Sequence, residues 1–463
     1  MDYSHLAQFQ VSSLRWGLSR NRRRAYIRVN PGTQLKGEFV STPTAHNEEQ
    51  PSSPAPANVV VGVTGGIAAY KACQVIRDFT KMGYNVTVVP TPNALKFVGK
   101  VTFEALSGNP VTNTVFESVD EVRHVSLGQN ADLIVVVPAT ADFLARLAHG
   151  RADDLLTATC LVATCPVVVA PAMHTEMWRN RAVKDNVALL REHGVSVLEP
   201  AVGRLTGPDS GAGRLPDPEQ IEQLAIARLE GVEFHHNLEG IRVLISAGGT
   251  REDLDPVRYI GNRSSGRQGF ALAEVAAQRG AKVTVVAAST EALPDPLTAN
   301  MVHVRSARDL QQAMEEKMEH ADVIIMAAAV ADYRPSTESD TKMKKGSEEE
   351  KNLSSLQMTE NPDILRTLVD KRDHQIFVGF AAETGDATHT PLEHGLAKAK
   401  RKGCDLLMCN EVGRNKTFGS TSNSGWLINK SGSYTGIETA SKYVVAGHIL
   451  DAVAALAPRQ LQG

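Results

Sequence analysis

The chain has 463 residues, of which 42% are hydrophobic and 5% aromatic, and its formal net charge is −3. That length predicts two domains rather than one core, and the small net charge gives no general reason to expect nucleic-acid binding. The five cysteines form neither a metal-ligand nor a disulfide pattern, which predicts a cytoplasmic location, and no apolar stretch is long enough to predict a membrane span.

Residues 1–57 differ in composition from the rest of the chain. They contain Arg20, an arginine triplet at 22–24 and a run rich in proline, serine and alanine, without a helical or strand period. An arginine- and serine-bearing, acid-poor start is typical of a transit peptide. The alternatives are a disordered extension or an over-long start assignment, and we expect a disordered extension.

From residue 58 onward the sequence alternates between predicted strands and helices. Apolar runs at 59–63, 85–89, 132–137 and 166–169 predict strands buried on both faces of a parallel sheet, and helical spacing predicts a helix at 68–82. A Pro-Ala pair follows each of the last two runs. Proline there ends a strand and presents a loop at its carboxyl end, where open α/β sheets bind ligands.

A second unit repeats this pattern after a predicted linker at 215–240, which is expected to contain a helix followed by a polar stretch at 235–237. A helix is predicted at 269–279, and the charged, aperiodic segment 335–352 predicts a mobile loop. We therefore predict two doubly wound, Rossmann-like α/β domains at residues 58–230 and 240–463. The predicted strands of the second domain lie at 242–247, 282–287, 323–326, 375–380 and 405–409.

Each predicted domain begins with a strand that ends in paired glycines. These are Gly65 with Gly66, and Gly248 with Gly249, and a helix follows each pair. Neither pair has the GxGxxG spacing, but glycines in this position let a backbone approach a phosphate at a helix N-terminus. The pattern predicts a phosphate-containing ligand in each domain.

The motifs of the first domain resemble the flavin-dependent cysteine decarboxylases, in particular those that act on phosphopantothenoylcysteine. The resemblance spans about residues 58–218 and rests on segments 65–71, 138–141, 152–156 and 171–178, with His124 between them. It implies a flavodoxin-like domain that binds FMN near a subunit interface of a trimer. The flavin oxidises an N-acyl cysteine, CO₂ leaves, and the same flavin reduces the resulting enethiol. His124 stands at the essential histidine position, and histidine side chains in general suit the role of a base near neutral pH. Residues at cofactor-binding positions are Gly65, Gly66, Pro138, Ala139, Thr140 and Met173.

Two positions depart from this family. His174 replaces an asparagine that holds the substrate carboxylate, and imidazole can still donate a hydrogen bond to that group. Thr206 stands about where a flap cysteine donates a proton, although a hydroxyl is far less acidic than a thiol. Either Thr206 relays a proton, another group does so, or this half-reaction is slow. Cys160 and Cys165 are predicted to be core or helix residues.

The second domain resembles the bacterial, CTP-using phosphopantothenate–cysteine ligases over about residues 240–457. The resemblance rests on segments 248–252, 255–269, 327–333 and 379–384. It implies that phosphopantothenate attacks the α-phosphate of CTP, and that the amine of cysteine then displaces CMP. Asn262 would stabilise the acyl-cytidylate, Lys342 would close over it from a mobile loop, and Asp332 would contact the nucleotide and its Mg²⁺. The matched CTP-binding positions are Met326, Ala327, Ala328, Asp332, Lys342, Pro362, Asp363, Ile364, Leu365, Phe380, Lys398 and Lys402.

The two resemblances in tandem match the bifunctional enzymes of bacterial coenzyme A synthesis. The expected ligands are 4'-phosphopantothenate, L-cysteine, CTP, Mg²⁺ and FMN, with neither a nucleic-acid nor a membrane partner. Trimers through one domain and dimers through the other would combine to a homododecamer. The alternatives are an active ligase fused to an impaired decarboxylase, and a flavin-binding regulatory protein of the same fold.

Overall fold

The computed structural model describes residues 56–113, 122–204, 209–343, 356–412 and 420–460. Its helices and strands form two α/β sheets with their covering helices, and the predicted two-domain α/β fold is confirmed. No helix within those ranges is long and apolar enough to cross a membrane. Of the sequence predictions, Thr206, residues 344–352 of the charged loop and the N-terminal extension up to residue 55 lie outside the described residues.

Five described strands pair in parallel to form the first sheet. Val59, Val61 and Val63 pack into the core on one face, whereas Val60 packs into the core on the other. Because successive side chains point to opposite faces, a strand covered on both sides needs apolar residues at every position. In spatial order the strands are Asn85–Pro90, Asn58–Val63, Leu133–Ala139, Val167–Pro171 and Ser196–Val197. The helices are Ala69–Lys81, Lys100–Ser107, Arg123–Asn130, Ala141–Ala148, Leu155–Val162, Thr175–Arg179, Arg181–Glu192 and Pro218–Leu229, with a 3₁₀ turn at Ala94–Lys96.

Eight described strands form the second sheet, in which the first six pair in parallel and the last two are antiparallel. Ile245 packs on one face with the helices Arg267–Gln278 and Lys442–Gln460. Leu244 packs on the other face with the remaining helices, which are Ala307–Met318, Ile364–Asp370 and Pro391–Lys402. In spatial order the strands are Asn300–His303, Lys282–Ala287, Arg242–Ala247, Val323–Met326, Ile376–Glu383, Leu406–Glu411, Ser422–Asn429 and Tyr434–Ser441.

Three small antiparallel pairs lie outside these sheets, and the sequence did not predict them. Their strands are short and lack a long apolar run, so periodicity does not reveal them. They pair Ala201–Arg204 with Ser210–Arg214, Arg251–Asp253 with Tyr259–Gly261, and Tyr333–Pro335 with Met358–Glu360.

The segment predicted as a linker is largely a buried helix, Pro218–Leu229. Ile221 and Leu224 of this helix belong to the core of the first sheet, and Ala227 belongs to the core of the second. Gln220 Nε2 also donates a hydrogen bond of 2.5 Å to Glu274 Oε1 on the first helix of the second domain. The helix is therefore part of the packing between the two sheets and not a free connection.

Candidate functional site

The loops at the carboxyl edge of the first sheet are fastened to one another by hydrogen bonds. Thr64 Oγ1 donates to the carbonyl of Pro138 at 2.7 Å, and the amide of Thr140 donates to Thr64 Oγ1 at 3.1 Å. Thr140 Oγ1 in turn caps the following helix by accepting from the amide of Phe143. The loops that carry the predicted cofactor residues at 64–66 and 138–140 thus meet at one point.

The two glycines of the first turn have different surroundings. A Cβ on Gly65 would lie 2.5 Å from Cβ of Asn93, so this glycine is needed for packing of the backbone. A Cβ on Gly66 would have its nearest neighbour, Thr140, at 3.6 Å, so it borders open space. Within the described residues no acceptor contacts the amides of Gly65, Gly66 or Ile67, and helix Ala69–Lys81 follows. Free amides at a helix N-terminus fit a phosphate such as that of FMN.

His174 lies on the loop after the strand Val167–Pro171, beside the predicted cofactor residue Met173. The amide of Met173 donates to Gly213 of the neighbouring hairpin at 3.0 Å. His174 is exposed, with Nδ1 bonded to Glu176 and Nε2 at 3.3 Å from Asp209. Hydrogen bonding to Glu176, followed by that to Asp209, raises the pKa of His174 above its usual value. The imidazole is therefore favoured in its charged form, which donates from both nitrogens.

His124 lies on a different part of the first domain. It is half-buried on helix Arg123–Asn130, which packs closely on helix Leu155–Val162 because Gly128 faces Val162. In the part of the chain that is described, no hydrogen bond or ion pair joins His124 to the loops of Gly65 or His174. The predicted base is thus not hydrogen-bonded to the other predicted residues within one copy of the chain.

Cys160 and Cys165 of the first domain are free thiols. Cys160 is buried on helix Leu155–Val162, and burial raises its pKa well above the usual range. Burial likewise raises the pKa of Cys165 to about 11. Thiols with raised pKa values are poor proton donors and nucleophiles near neutral pH. Cys160 is a buried helix residue, in agreement with the prediction of core or helix residues, whereas Cys165 is half-buried and follows the end of that helix.

A cavity of about 940 Å³ lies at the carboxyl edge of the second sheet. It is bordered by the ends of the parallel strands and by the loop 262–266 that precedes helix Arg267–Gln278. All predicted nucleotide-site residues except Lys342 line this one cavity. They are Asn262, Met326, Ala327, Ala328, Asp332, Pro362, Asp363, Ile364, Leu365, Phe380, Lys398 and Lys402.

Asn262 is held at the wall of this cavity by one hydrogen bond. Its Nδ2 donates to the carbonyl of Val330 at 2.8 Å, which leaves its other amide hydrogen and its side-chain oxygen for a ligand. The second glycine pair supports this loop and does not line the cavity. A Cβ on Gly249 would lie 2.9 Å from the carbonyl oxygen of Asn262, and Gly248 has a φ of +83°. These glycines allow close backbone packing, which is a different use from the phosphate contact suggested by the pattern.

The lysines predicted to bind the triphosphate lie on helix Pro391–Lys402. Lys398 Nζ is 2.7 Å from Glu383, and Lys402 Nζ is 2.5 Å from Asp363. Both ammonium groups are therefore neutralised in the absence of a ligand, and an incoming polyphosphate competes with two carboxylates for them. Lys342 is exposed and does not line the cavity.

Asp332, the predicted metal ligand, is an exposed carboxylate at the cavity wall. Among the described residues, the group of three potential metal ligands that lie close together does not include Asp332. It consists of Asp386, His389 and His394, which lie outside this cavity. One carboxylate suits Mg²⁺, which takes few protein ligands when substrate phosphates supply the others.

Sequence reasoning missed several polar residues of this cavity. Asn423 Nδ2 donates to Asn410 Oδ1 at 2.9 Å, and both residues line the cavity together with Gln268 and Lys442. Asn423 and Lys442 come from the antiparallel edge of the sheet and the last helix, far along the chain from the glycine turn. The dipeptide Ser441-Lys442 before an apolar helix was the available signal, and by itself it is not distinctive.

Comparison with known proteins identifies the family. The flavoprotein family matches residues 47–230, and the DNA/pantothenate metabolism flavoprotein C-terminal domain matches residues 238–456. The crystal structure of the C-terminal domain of a coenzyme A biosynthesis bifunctional protein CoaBC is 34% identical, covers 48% of this chain and 97% of its own, and gives a TM-score of 0.40. The coenzyme A biosynthesis bifunctional protein CoaBC of Bacillus subtilis is 40% identical over 402 residues, 86% of this chain and 97% of that protein. Its counterpart in Mycolicibacterium smegmatis is 54% identical over 409 residues, 87% of this chain and 98% of that protein. At that identity over most of both proteins, the chain belongs to the CoaBC family of bifunctional enzymes of coenzyme A biosynthesis.

Proposed function

We propose that the C-terminal domain, residues 240–463, ligates cysteine to 4'-phosphopantothenate with CTP, and that the N-terminal domain, residues 58–230, decarboxylates the product with FMN to give 4'-phosphopantetheine. The observation that carries this proposal is the convergence of the ligase-type residues on one 940 Å³ cavity. Membership of the CoaBC family favours this function over a flavin-binding regulatory protein.

In the ligase half, residues of the cavity wall bind and orient the substrates. Lys398 and Lys402 exchange their carboxylate partners for the triphosphate of CTP, and Asp332 holds the Mg²⁺ that neutralises charge on the phosphates. The unengaged amide hydrogen of Asn262 donates to the acyl-cytidylate while cysteine attacks. Lys342 moves from its exposed position to cover the intermediate.

In the decarboxylase half, FMN supplies the two-electron oxidation and the later reduction when it is bound. The free amides of the Gly65–Gly66 turn bind its phosphate, and Pro138, Ala139, Thr140 and Met173 complete the cofactor site. His124 removes a proton from the cysteine unit. His174, whose pKa is raised by Glu176 and then by Asp209, donates a hydrogen bond to the substrate carboxylate in exchange for Asp209. Thr206 relays the final proton.

We further propose a homo-oligomer, a dodecamer by family resemblance, that acts in the cytoplasm. An oligomer supplies a second copy of helix Arg123–Asn130, and this would let His124 reach a flavin held by a neighbouring subunit. Cross-linking and analytical ultracentrifugation of the full chain would report the assembly, and a stable monomer would contradict it.

The proposed function is tested with the purified chain, 4'-phosphopantothenate, cysteine, CTP and Mg²⁺, with products followed by mass spectrometry. Formation of 4'-phosphopantetheine is the expected result. Accumulated phosphopantothenoylcysteine would instead favour an active ligase fused to an impaired decarboxylase. Absence of any turnover would refute both enzyme activities. Replacing Asn262 by Asp should stall the reaction after the acyl-cytidylate, and normal amide formation by that variant would contradict its assigned role.

A further inference from the structure

Asp386, His389 and His394 form a compact group of potential metal ligands on the surface of the second domain. Each of the three places one ligand atom within 4.8 Å of the others. Asp386 and His389 lie on the loop between strand Ile376–Glu383 and helix Pro391–Lys402, and His394 lies in the first turn of that helix. None of the three lines the ligase cavity, so the proposed nucleotide site does not use them.

The loop holds the carboxylate of Asp386 in a fixed direction. Its Oδ1 accepts from the amide of Thr388 at 2.7 Å, from Thr388 Oγ1 at 2.7 Å and from the amide of His389 at 2.8 Å. The amide of Asp386 donates back to the carbonyl of His389 at 3.0 Å, which closes the turn. Three donors occupy Oδ1, so Oδ2 is left for a further partner. That oxygen lies 2.9 Å from Nε2 of His394.

The spacing of the three side chains fits a tetrahedral metal ion. Ligand atoms bound to Zn²⁺ at about 2.1 Å lie roughly 3.4 Å from one another. In this group the ligand atoms are between 2.9 Å, from Asp386 Oδ2 to His394 Nε2, and at most 4.8 Å apart. The ring centroids of His389 and His394 are 5.3 Å apart. The side chains of Asp386 and His389 are more than half exposed, so small rotations bring the atoms to the spacing of a metal site.

The chemistry of these ligands selects a transition metal. Neutral imidazole binds Zn²⁺ and its neighbours in the periodic table, whereas Mg²⁺ and Ca²⁺ prefer oxygen ligands. Two histidines and one carboxylate form a ligand set of zinc sites whose fourth position holds water. Glu393 is not needed as a ligand, because its Oε2 accepts from the amide and hydroxyl of Thr390 and caps the helix. Its charge acts on both imidazoles and favours a cation there.

The position of the group gives a bound cation a structural role. Strand Ile376–Glu383 ends in Glu383, the partner of Lys398, and His394 lies one helical turn before Lys398. We propose that Asp386, His389 and His394 bind Zn²⁺ or a similar divalent transition-metal cation. This cation fixes the loop 384–390 to the first turn of helix Pro391–Lys402. The site is separate from the Mg²⁺ site proposed at Asp332 and does not depend on CTP.

The test measures Zn²⁺ binding by the full-length protein after removal of metals with a chelator. A colorimetric Zn²⁺ indicator competes for the ion, and Mg²⁺ is present in large excess. His389→Gln and His394→Gln should each weaken Zn²⁺ binding at least 100-fold, since loss of a residue that only orients a ligand already costs about 10–100-fold. Thr388→Val removes the hydroxyl that donates to Asp386 and should weaken binding about tenfold. His320→Gln, at an exposed histidine outside the group, is the matched control and should bind as wild type.

The melting temperature provides a second measurement. Zn²⁺ should raise it in wild type and in His320→Gln, and should leave it unchanged in His389→Gln and His394→Gln. Because His389 is exposed, His389→Gln should melt like wild type without metal, which separates loss of metal binding from loss of the fold.

Two results would overturn the site, and neither depends on ligase activity. One is equal Zn²⁺ affinity in wild type, His389→Gln and His394→Gln. The other is displacement of Zn²⁺ from wild type by Mg²⁺, because a site built from two imidazoles should discriminate against Mg²⁺.

Discussion

Replacing Glu274 by glutamine should change how the stability of the protein depends on pH. Glu274 is 2% exposed and lies on helix Arg267–Gln278 where it meets the helix that carries Gln220. Burial raises its pKa from an ordinary 4.5 to about 8, although hydrogen bonds from Gln220 and from the amide of Leu297 act in the opposite direction. The carboxyl group is therefore neutral in the folded protein at pH 7 and ionised in the unfolded chain.

The sign of the effect follows from this difference. Below pH 4.5 both states hold the proton and the carboxyl costs nothing. Between pH 4.5 and about 8 the unfolded chain releases the proton and the folded protein keeps it, so the free energy of unfolding falls as pH rises. The largest loss of unfolding free energy from this group is roughly 5 kcal/mol, since each unit of pKa difference corresponds to about 1.36 kcal/mol. Glutamine is neutral throughout and accepts both hydrogen bonds through its carbonyl oxygen. Its NH₂ replaces the hydroxyl of the protonated acid at Oε2, a position that has no partner in wild type either, so the substitution adds little cost at low pH.

Glu274→Gln should therefore be about as stable as wild type at pH 5 and more stable at pH 8. Urea denaturation at pH 5, 6.5 and 8 would measure the difference in unfolding free energy, which should move in favour of the variant by about 4 kcal/mol across that range. Glu315→Gln is the control, because Lys371 lowers the pKa of Glu315, so its neutralisation should bring no gain at pH 8. A Glu274→Gln difference that is constant with pH would refute the reasoning.

Three further predictions concern the two sites. Gly66→Ala should fold with a normal melting temperature but retain at least tenfold less flavin, whereas Gly65→Ala, whose Cβ meets Asn93 at 2.5 Å, should lose about 1–3 kcal/mol of stability. Flavin absorbance per chain measures the first effect and thermal melts measure the second. Equal flavin content in Gly66→Ala and wild type would argue against phosphate binding by this turn. Glu176 and then Asp209 raise the pKa of His174, so the KM of the decarboxylase reaction should increase as pH rises through the pKa of this histidine. His174→Asn should abolish this increase in KM. Identical pH profiles of KM for the variant and wild type would contradict binding of the substrate carboxylate by His174. Lys398→Met should raise KM for CTP at least tenfold, since a lysine–phosphate contact is worth up to roughly 4 kcal/mol. Lys371→Met is the control, because Lys371 lies outside the cavity. An equal rise in KM for CTP in both variants would contradict triphosphate binding by Lys398.

The parallel strands were predictable because burial on both faces leaves a direct mark on the sequence. The strands Asn58–Val63 and Arg242–Ala247 lie within a residue of their predicted positions for this reason. The helix Pro218–Leu229 shows the limit of this approach. Its apolar residues face two different cores, so its sequence shows helical spacing without showing which domain it packs against. Its contact with the second domain also includes the hydrogen bond from Gln220 to Glu274, and these two residues are polar and carry no hydrophobic signal.

The candidate site was predictable where a motif is local and not where distant segments meet. Asn262 and the strand-end residues at 326–328 belong to short runs that resemble a family, and they lie at one cavity. Lys398 and Lys402 were predicted as cations for a triphosphate, but their pairing with Glu383 and Asp363 was not, because each pair joins separate elements. The sequence does not distinguish a lysine that pairs with a carboxylate from one that does not, because the pairing depends on how separate elements pack together.

Lys442 combines both limits. On the sequence it is one lysine before an apolar helix, and the bland expectation for such a residue is a solvated side chain. The fold instead carries it 174 residues back along the chain to Gln268 and buries it beside an uncapped helix end. Among the described residues no ion pair joins its ammonium group to a carboxylate, whereas Lys398 and Lys402 have carboxylate partners in the same cavity, and neither arrangement has a local signature in the sequence.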